Sequence, residues 1–197
     1  MQDTAYLKCI IPKCGKEYVI SSTRIHCDCG NLLDVKYKNT PSSKLKATFY
    51  QRHNPQGSIF NESGVWRFRE LLNFCQIDTE NLEQCSKNLV SLDGAEGRQS
   101  KPYHMSKVAE FVEINTEKLM LQPEGYNPSG SFKDNGMTAA VTHAKMVNAK
   151  KIICASTGNT SASAGMFAAN ENIQCDVYIP EGEISPGKLS QAYQFGT

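Results

Sequence analysis

The chain is expected to be an α/β protein: a parallel sheet with crossover helices, preceded by a small cysteine-bearing module. Three observations predict this. From about residue 118, short apolar runs alternate with longer stretches whose apolar residues recur every three or four positions. Two turns of small polar residues, at 129–131 and 156–161, each open one of those longer stretches. Four of the eight cysteines crowd into the first 29 residues, among strand-like runs and tight turns. Strands alternating with helices of this length need crossover connections, which make neighbouring strands parallel.

Taken in order, residues 1–40 read as a module of short strands, with candidates at Lys16–Ile20 and Leu32–Tyr37. Residues 41–117 read as an arm and loop region. Its first part, 41–65, is rich in turn formers such as Pro41, Asn54, Pro55 and Gly57. A short helix is expected over Val65–Leu72, with Trp66 as a core residue, and a loop over 91–105 around Gly94 and Gly97. Residues 118–197 form the regular part. A strand is expected at Lys118–Gln122. A helix over roughly 131–148 follows, with Phe132, Met137, Ala140, Val141, Ala144 and Val147 on one face. On it, His143 is read as a surface residue. Next come a strand at Lys151–Ala155, a small-residue helix from Thr160 to about Asn170, a strand at Cys175–Ile179 and a helix from Gly187 to Phe195. Three consecutive parallel strands result, and ligands in such sheets bind at the carboxyl ends of the strands, where both polar turns lie.

Composition narrows the function. With 21 basic and 20 acidic residues the net charge is +1, which gives no electrostatic reason for binding nucleic acid or an anionic membrane. No run of about 18 apolar residues is present to span a bilayer. The first residues, Met1 to Lys8, lack the cationic start and apolar stretch of an export signal. A cytoplasmic setting is therefore expected, with the cysteines as thiols or metal ligands and not as disulfides.

The segment Asn127-Pro128-Ser129-Gly130-Ser131-Phe132-Lys133-Asp134 puts one lysine just past a small-residue turn, at the opening of a helix. A lysine fixed beside a carbonyl cofactor becomes an imine-forming nucleophile. Ser131 is a good N-cap for that helix. The second turn, Ser156-Thr157-Gly158-Asn159-Thr160-Ser161, follows a strand and opens the next helix. The first N–H groups of a helix have no intrahelical partner and favour an anion.

Over their whole lengths these two strings, Glu124–Met137 and Ala155–Gly165, resemble the lysine motif and the asparagine loop of threonine synthases. These are pyridoxal-phosphate enzymes of fold type II, the tryptophan-synthase-β structural family. The likeness continues at Ile179–Gly182 and Gly187–Leu189. The resemblance implies pyridoxal 5'-phosphate as cofactor, with Lys133 as the catalytic lysine that carries it. Asn159 would contact the ring hydroxyl, while Ser156, Thr157 and Thr160 would hold the carboxylate and phosphate of the substrate. The implied reaction converts O-phospho-L-homoserine and water to L-threonine and phosphate. A homodimer of the full-length enzyme is compatible with it. The chain departs from the family at two places. Asn135 stands where an arginine is usual, and no Thr-Pro pair follows Glu96-Gly97. A sister enzyme acting on phosphoserine, such as cysteate synthase, and a non-catalytic remnant are the alternative readings. The family's glycine-rich phosphate loop and its partner for the ring nitrogen are not found, so the chain is expected to be an amino-terminal portion.

Four residues separate Cys9 from Cys14, one separates Cys27 from Cys29, and two separate His26 from Cys29. Glycine follows both Cys14 and Cys29, which suits a zinc knuckle. Two readings stand: a structural zinc held by Cys9, Cys14, Cys27 and Cys29, with His26 as the substitute for Cys27, or a ribbon of free thiols packed on the main domain.

Overall fold

The computed structural model describes residues 5–38, 44–52, 61, 63–72, 103–182, 190–191 and 193–196. Residues 91–102 of the loop expected over 91–105, and most of the last helix, lie outside them; Tyr103–His104 is a strand, and residues 190–191 and 193–194 are helical.

The amino-terminal module is a three-stranded antiparallel sheet of β1 (Ala5–Cys9), β2 (Glu17–Val19) and β3 (Leu33–Tyr37), in the order β2-β1-β3. The central strand, β1, is the one the residue pattern does not announce, because no turn former precedes it. Leu7 pairs with Tyr18 on one side and with Val35 on the other. The module buries little: Ala5, Cys9, Ile20 and Cys27 are its buried apolar residues.

Helix α1 (Lys44–Gln51) lies in the segment read as an arm and buries none of its residues. It meets the 3-10 helix Trp66–Leu71, the expected helix of this region in a tighter form. Phe49 and Phe68 stack edge to face at 5.1 Å, and Arg52 forms a two-pronged ion pair with Glu70. Trp66 is fully buried and donates its indole N–H to Thr138 Oγ1 at 3.2 Å, which ties this segment to the main helix of the α/β part.

The run at 118–122 departs from expectation. Met120–Leu121 (β5) pairs antiparallel with Tyr103–His104 (β4), and both β5 residues are exposed. A strand of a parallel sheet is normally covered on both faces; here the apolar run has no burial to draw it there. Among the described residues the parallel sheet therefore has two strands instead of three: β6 (Lys151–Ala155) and β7 (Gln174–Tyr178), in register from Lys151↔Gln174 to Ala155↔Tyr178.

Between β4 and β5 lies α2 (Ser106–Phe111), for which the sequence gives no amphipathic pattern of useful length. Helix α3 (Lys133–Met146) precedes β6, and α4 (Asn159–Asn170) crosses over to β7. Val141 and Phe167 are fully buried between the two helices, with Met137, Ile152, Met166 and Ile173 packed on them. The three helices end alike. Glu113, Asn148 and Asn172 take positive φ, and the residue after each returns its N–H to a carbonyl five residues back. That bond satisfies a carbonyl the helix end would leave unpaired. His143 is half-buried on α3, not on the surface, and burial holds its imidazole below the usual histidine range. Among the described residues no helix is long and apolar enough to cross a membrane.

Candidate functional site

The chain approaches α3 through a short 3-10 helix, Glu124–Tyr126, and a tight turn. Asn127, buried, spends both donors of its amide on the turn: one to Glu124 Oε2 at 2.7 Å and one to the Ser131 carbonyl at 3.0 Å. Gly130 sits at φ +80 and returns its N–H to the Asn127 carbonyl at 2.7 Å. A side chain is strained in that backbone region, so glycine serves the turn. Ser131 Oγ then accepts the Lys133 N–H at 3.3 Å, although the formal cap position of α3 falls on Phe132 and has no side-chain cap.

Lys133 is the first residue of α3, half-buried, with Nζ 4.6 Å from the centroid of the Phe132 ring. Among the described residues no carboxylate pairs with it. Its neighbour is the opposite. Asp134 is 2% exposed and accepts three hydrogen bonds: from Ser129 N–H at 2.7 Å, from Ser129 Oγ at 2.5 Å and from Ser163 Oγ at 2.5 Å. A carboxylate in the first turn of a helix also meets the positive end of the helix dipole.

The second polar turn leaves β6. The Gly158 N–H donates to Ser156 Oγ at 3.2 Å, and Ser161 Oγ donates to the Gly158 carbonyl at 2.6 Å. No side chain caps α4. Asn159 is exposed, while Thr157 and Thr160 are half-buried. Among the described residues the side chains of these three have no hydrogen-bond partner. The start of α4 is thus a helix N-terminus with free backbone and side-chain donors.

Ser163 brings the two turns together. It is fully buried one helical turn beyond Asn159, and its bond to Asp134 ties the start of α3 to the first turns of α4. Sequence reasoning singles out Lys133, Asn159, Ser156, Thr157 and Thr160; the structure places Lys133 at the start of α3 and the other four at or just before the start of α4, and the Ser163–Asp134 bond joins those two helices. Sequence reasoning misses Asp134, Ser163, Asn127 and Glu124. The available signal was an acid directly after the lysine with serines two and four residues before that lysine. Asn135, in the place where the family usually has arginine, donates to Glu124 Oε2 at 3.0 Å.

Comparison with known proteins adds the family. The profile described as "Pyridoxal-phosphate dependent enzyme" matches residues 102–197, which contain both turns. That stretch of the chain is similar to the pyridoxal-phosphate-dependent enzymes. The chain is also similar to threonine synthase of Methanocaldococcus jannaschii, 36% identical over 189 residues, 96% of this chain and 41% of that protein. Threonine synthase of Methanosarcina acetivorans is 33% identical over 192 residues, 97% of this chain and 41% of its own length. Threonine synthase of Mycobacterium leprae is 57% identical over 78 residues, 40% of this chain and 22% of its own length. The chain thus spans about two-fifths of the length of the archaeal relatives. Pyridoxal phosphate is the cofactor of the family, and the residues present fit it. Among the described residues the Lys133 amine has no carboxylate partner, and at the uncapped start of α4 the side chains of Thr157, Asn159 and Thr160 are uncommitted.

The amino-terminal cysteines form a separate group. The sulfurs of Cys9, Cys14, Cys27 and Cys29 all lie within 4.8 Å of one another. His26 is exposed and is not in that group; its backbone bridges to Leu32 instead. The thiols differ in acidity. The side-chain amide of Asn31, then its backbone N–H, pulls Cys29 down to about 6. Against the Ile11 N–H, which lowers it, burial and the neighbouring thiols push Cys9 up to about 12.

Proposed function

We propose that this chain carries the lysine side of a threonine synthase site, serving amino-acid biosynthesis. The reaction takes O-phospho-L-homoserine and water to L-threonine and phosphate. When bound, pyridoxal phosphate supplies an electron sink for the charge left at the substrate α-carbon. Lys133 Nζ would hold the cofactor and, when its amine is free, would act as the general base for the substrate α-proton. Asn159 would donate its side-chain amide to the ring oxygen. Ser156, Thr157, Thr160 and the first N–H groups of α4 hold the substrate carboxylate and the departing phosphate, at the positive end of the helix dipole. The carbon–oxygen bond to phosphate breaks at the γ-carbon, which ends as the methyl group, and the hydroxyl of water ends on the β-carbon.

What supports this reading most directly is the Ser163–Asp134 bond, which ties the helix that Lys133 opens to the helix with the uncapped start. Borohydride treatment of the cofactor-loaded protein is expected to fix the cofactor to the peptide containing Lys133. Lys133→Ala should lose the label, and turnover should fall by at least about 10²–10⁴-fold. A label on Lys145 or Lys151 would overturn the assignment. Phosphate release from O-phospho-L-homoserine, compared with release from phosphoserine, tests the substrate. Preference for phosphoserine would move the chain to a sister enzyme.

A further inference from the structure

We propose that Cys9, Cys14, Cys27 and Cys29 bind one zinc ion as a tetrathiolate, and that this ion is the core of the amino-terminal sheet. Four sulfurs around zinc at about 2.3 Å occupy tetrahedron corners about 3.8 Å apart. Here Cys9 Sγ lies 3.6 Å from Cys29 Sγ, and Cys14 Sγ lies 3.6 Å from Cys27 Sγ, with all four inside 4.8 Å. Those separations are far beyond the ~2.05 Å of a disulfide. They match a metal-sized gap shared by four ligands. The irregular sequence spacing is resolved in space, since each close pair joins one cysteine from the first turn to one from the second.

The backbone around the sulfurs is the second observation. The Ile11 N–H donates to Cys9 Sγ at 3.5 Å, and the Asn31 side-chain amide donates to Cys29 Sγ at 3.5 Å. One donor comes from each of the two cysteine turns. Gly15 at φ +60 and Gly30 at φ +84 let the chain turn directly behind Cys14 and Cys29. The Asp28 N–H donates to Tyr18 Oη at 3.1 Å, which leaves that hydroxyl to donate to Cys27 Sγ at 3.3 Å. Hydrogen bonds of this kind orient metal ligands and offset the charge of a tetrathiolate.

The third observation is what the sheet lacks. Apart from two of the cysteines, its buried apolar residues are Ala5 and Ile20. A module this small with so little core needs a metal or another staple. Tetrahedral sulfur ligation with no open position suits structural zinc. The inference is independent of the catalytic reading, because its readouts are metal content and thiol protection.

The test is metal analysis of the whole chain purified without chelator, followed by alkylation mapped by mass spectrometry. About one zinc per chain is expected, with Cys9, Cys14, Cys27 and Cys29 protected and Cys154 and Cys175 reactive after denaturant-free exposure. Cobalt substitution should give the visible bands of a tetrahedral thiolate site. Cys14→Ser and Cys29→Ser should each lose the metal, while His26→Ala and Cys154→Ser should keep it. Chelator should open residues 5–38 to protease. Iron in place of zinc, loss of metal in His26→Ala, or ready alkylation of all four thiols in the presence of added zinc would overturn the proposal.

Discussion

Ser163 of α4 donates its hydroxyl to Asp134 of α3 at 2.5 Å, and both residues are buried. The bond crosses the interface between the two helices whose first turns carry the proposed site. Hydrogen bonds to a charged group contribute about 1.5–3 kcal/mol, and stranding a buried carboxylate costs more than losing an exposed one. Ser163→Ala should therefore lower the unfolding free energy by roughly 1.5–3 kcal/mol, read from the urea midpoint. It should also weaken cofactor binding, because the lysine turn loses its anchor to α4. Unchanged stability and unchanged cofactor affinity together would remove the bond from any account of the site.

Asn159 gives the complementary case. Its side chain is exposed and has no partner among the described residues, so it contributes nothing visible to folding. Asn159→Ala should leave stability within about 0.5 kcal/mol. If its amide holds the ring oxygen, cofactor affinity should fall by roughly 5- to 100-fold, the equivalent of one hydrogen bond of about 1–3 kcal/mol. Equilibrium dialysis against the cofactor separates the two effects. A stability loss with intact cofactor affinity would mark Asn159 as structural.

The residues that carry this site differ in how far a sequence exposes them. Lys133 and Asn159 announce themselves because each sits in a string of small polar residues at a helix start. Asp134 and Ser163 do not, since their partnership joins residues 29 apart and no local periodicity encodes it. The strand Lys151–Ala155 is legible because an apolar run is bounded by a lysine pair and a polar turn. The run at 118–122 is likewise a short apolar stretch after a lysine, yet it lies against Tyr103–His104 in an antiparallel pair. Strand direction depends on what lies beside the strand, and composition is silent on that. The cysteine module is a similar case. Spacing along the chain left His26 and Cys27 as rivals, and only the fold brings the Cys27 sulfur to within 3.6 Å of the Cys14 sulfur.

Glu124 holds the approach to α3. Its carboxylate accepts from Gln122 at 3.2 Å, Asn127 at 2.7 Å and Asn135 at 3.0 Å. Glu124→Ala should leave the buried Asn127 amide with one partner instead of two, at a cost of roughly 1–3 kcal/mol. Glu124→Gln, which keeps an acceptor oxygen, should recover part of that loss. Thermal unfolding of the two variants checks the order. Equal effects of alanine and glutamine would show that packing, and not acceptance, is what Glu124 supplies.

His143 makes the stability of α3 depend on pH. Burial disfavours the imidazolium, so the folded-state pKa lies below the ordinary 6.5. Above that value the side chain is neutral in both states and folding incurs no protonation cost. As pH falls through 6.5, the unfolded chain takes up a proton that the folded chain still refuses, and stability declines. The decline is complete once pH has passed below the folded-state pKa, where both states are charged. Denaturant midpoints measured between about pH 7.5 and 5.5, the range in which histidines titrate, should fall on acidification. The fall should be smaller in His143→Gln, which cannot be protonated there. Parallel pH profiles for the two proteins would assign the acid sensitivity to another group.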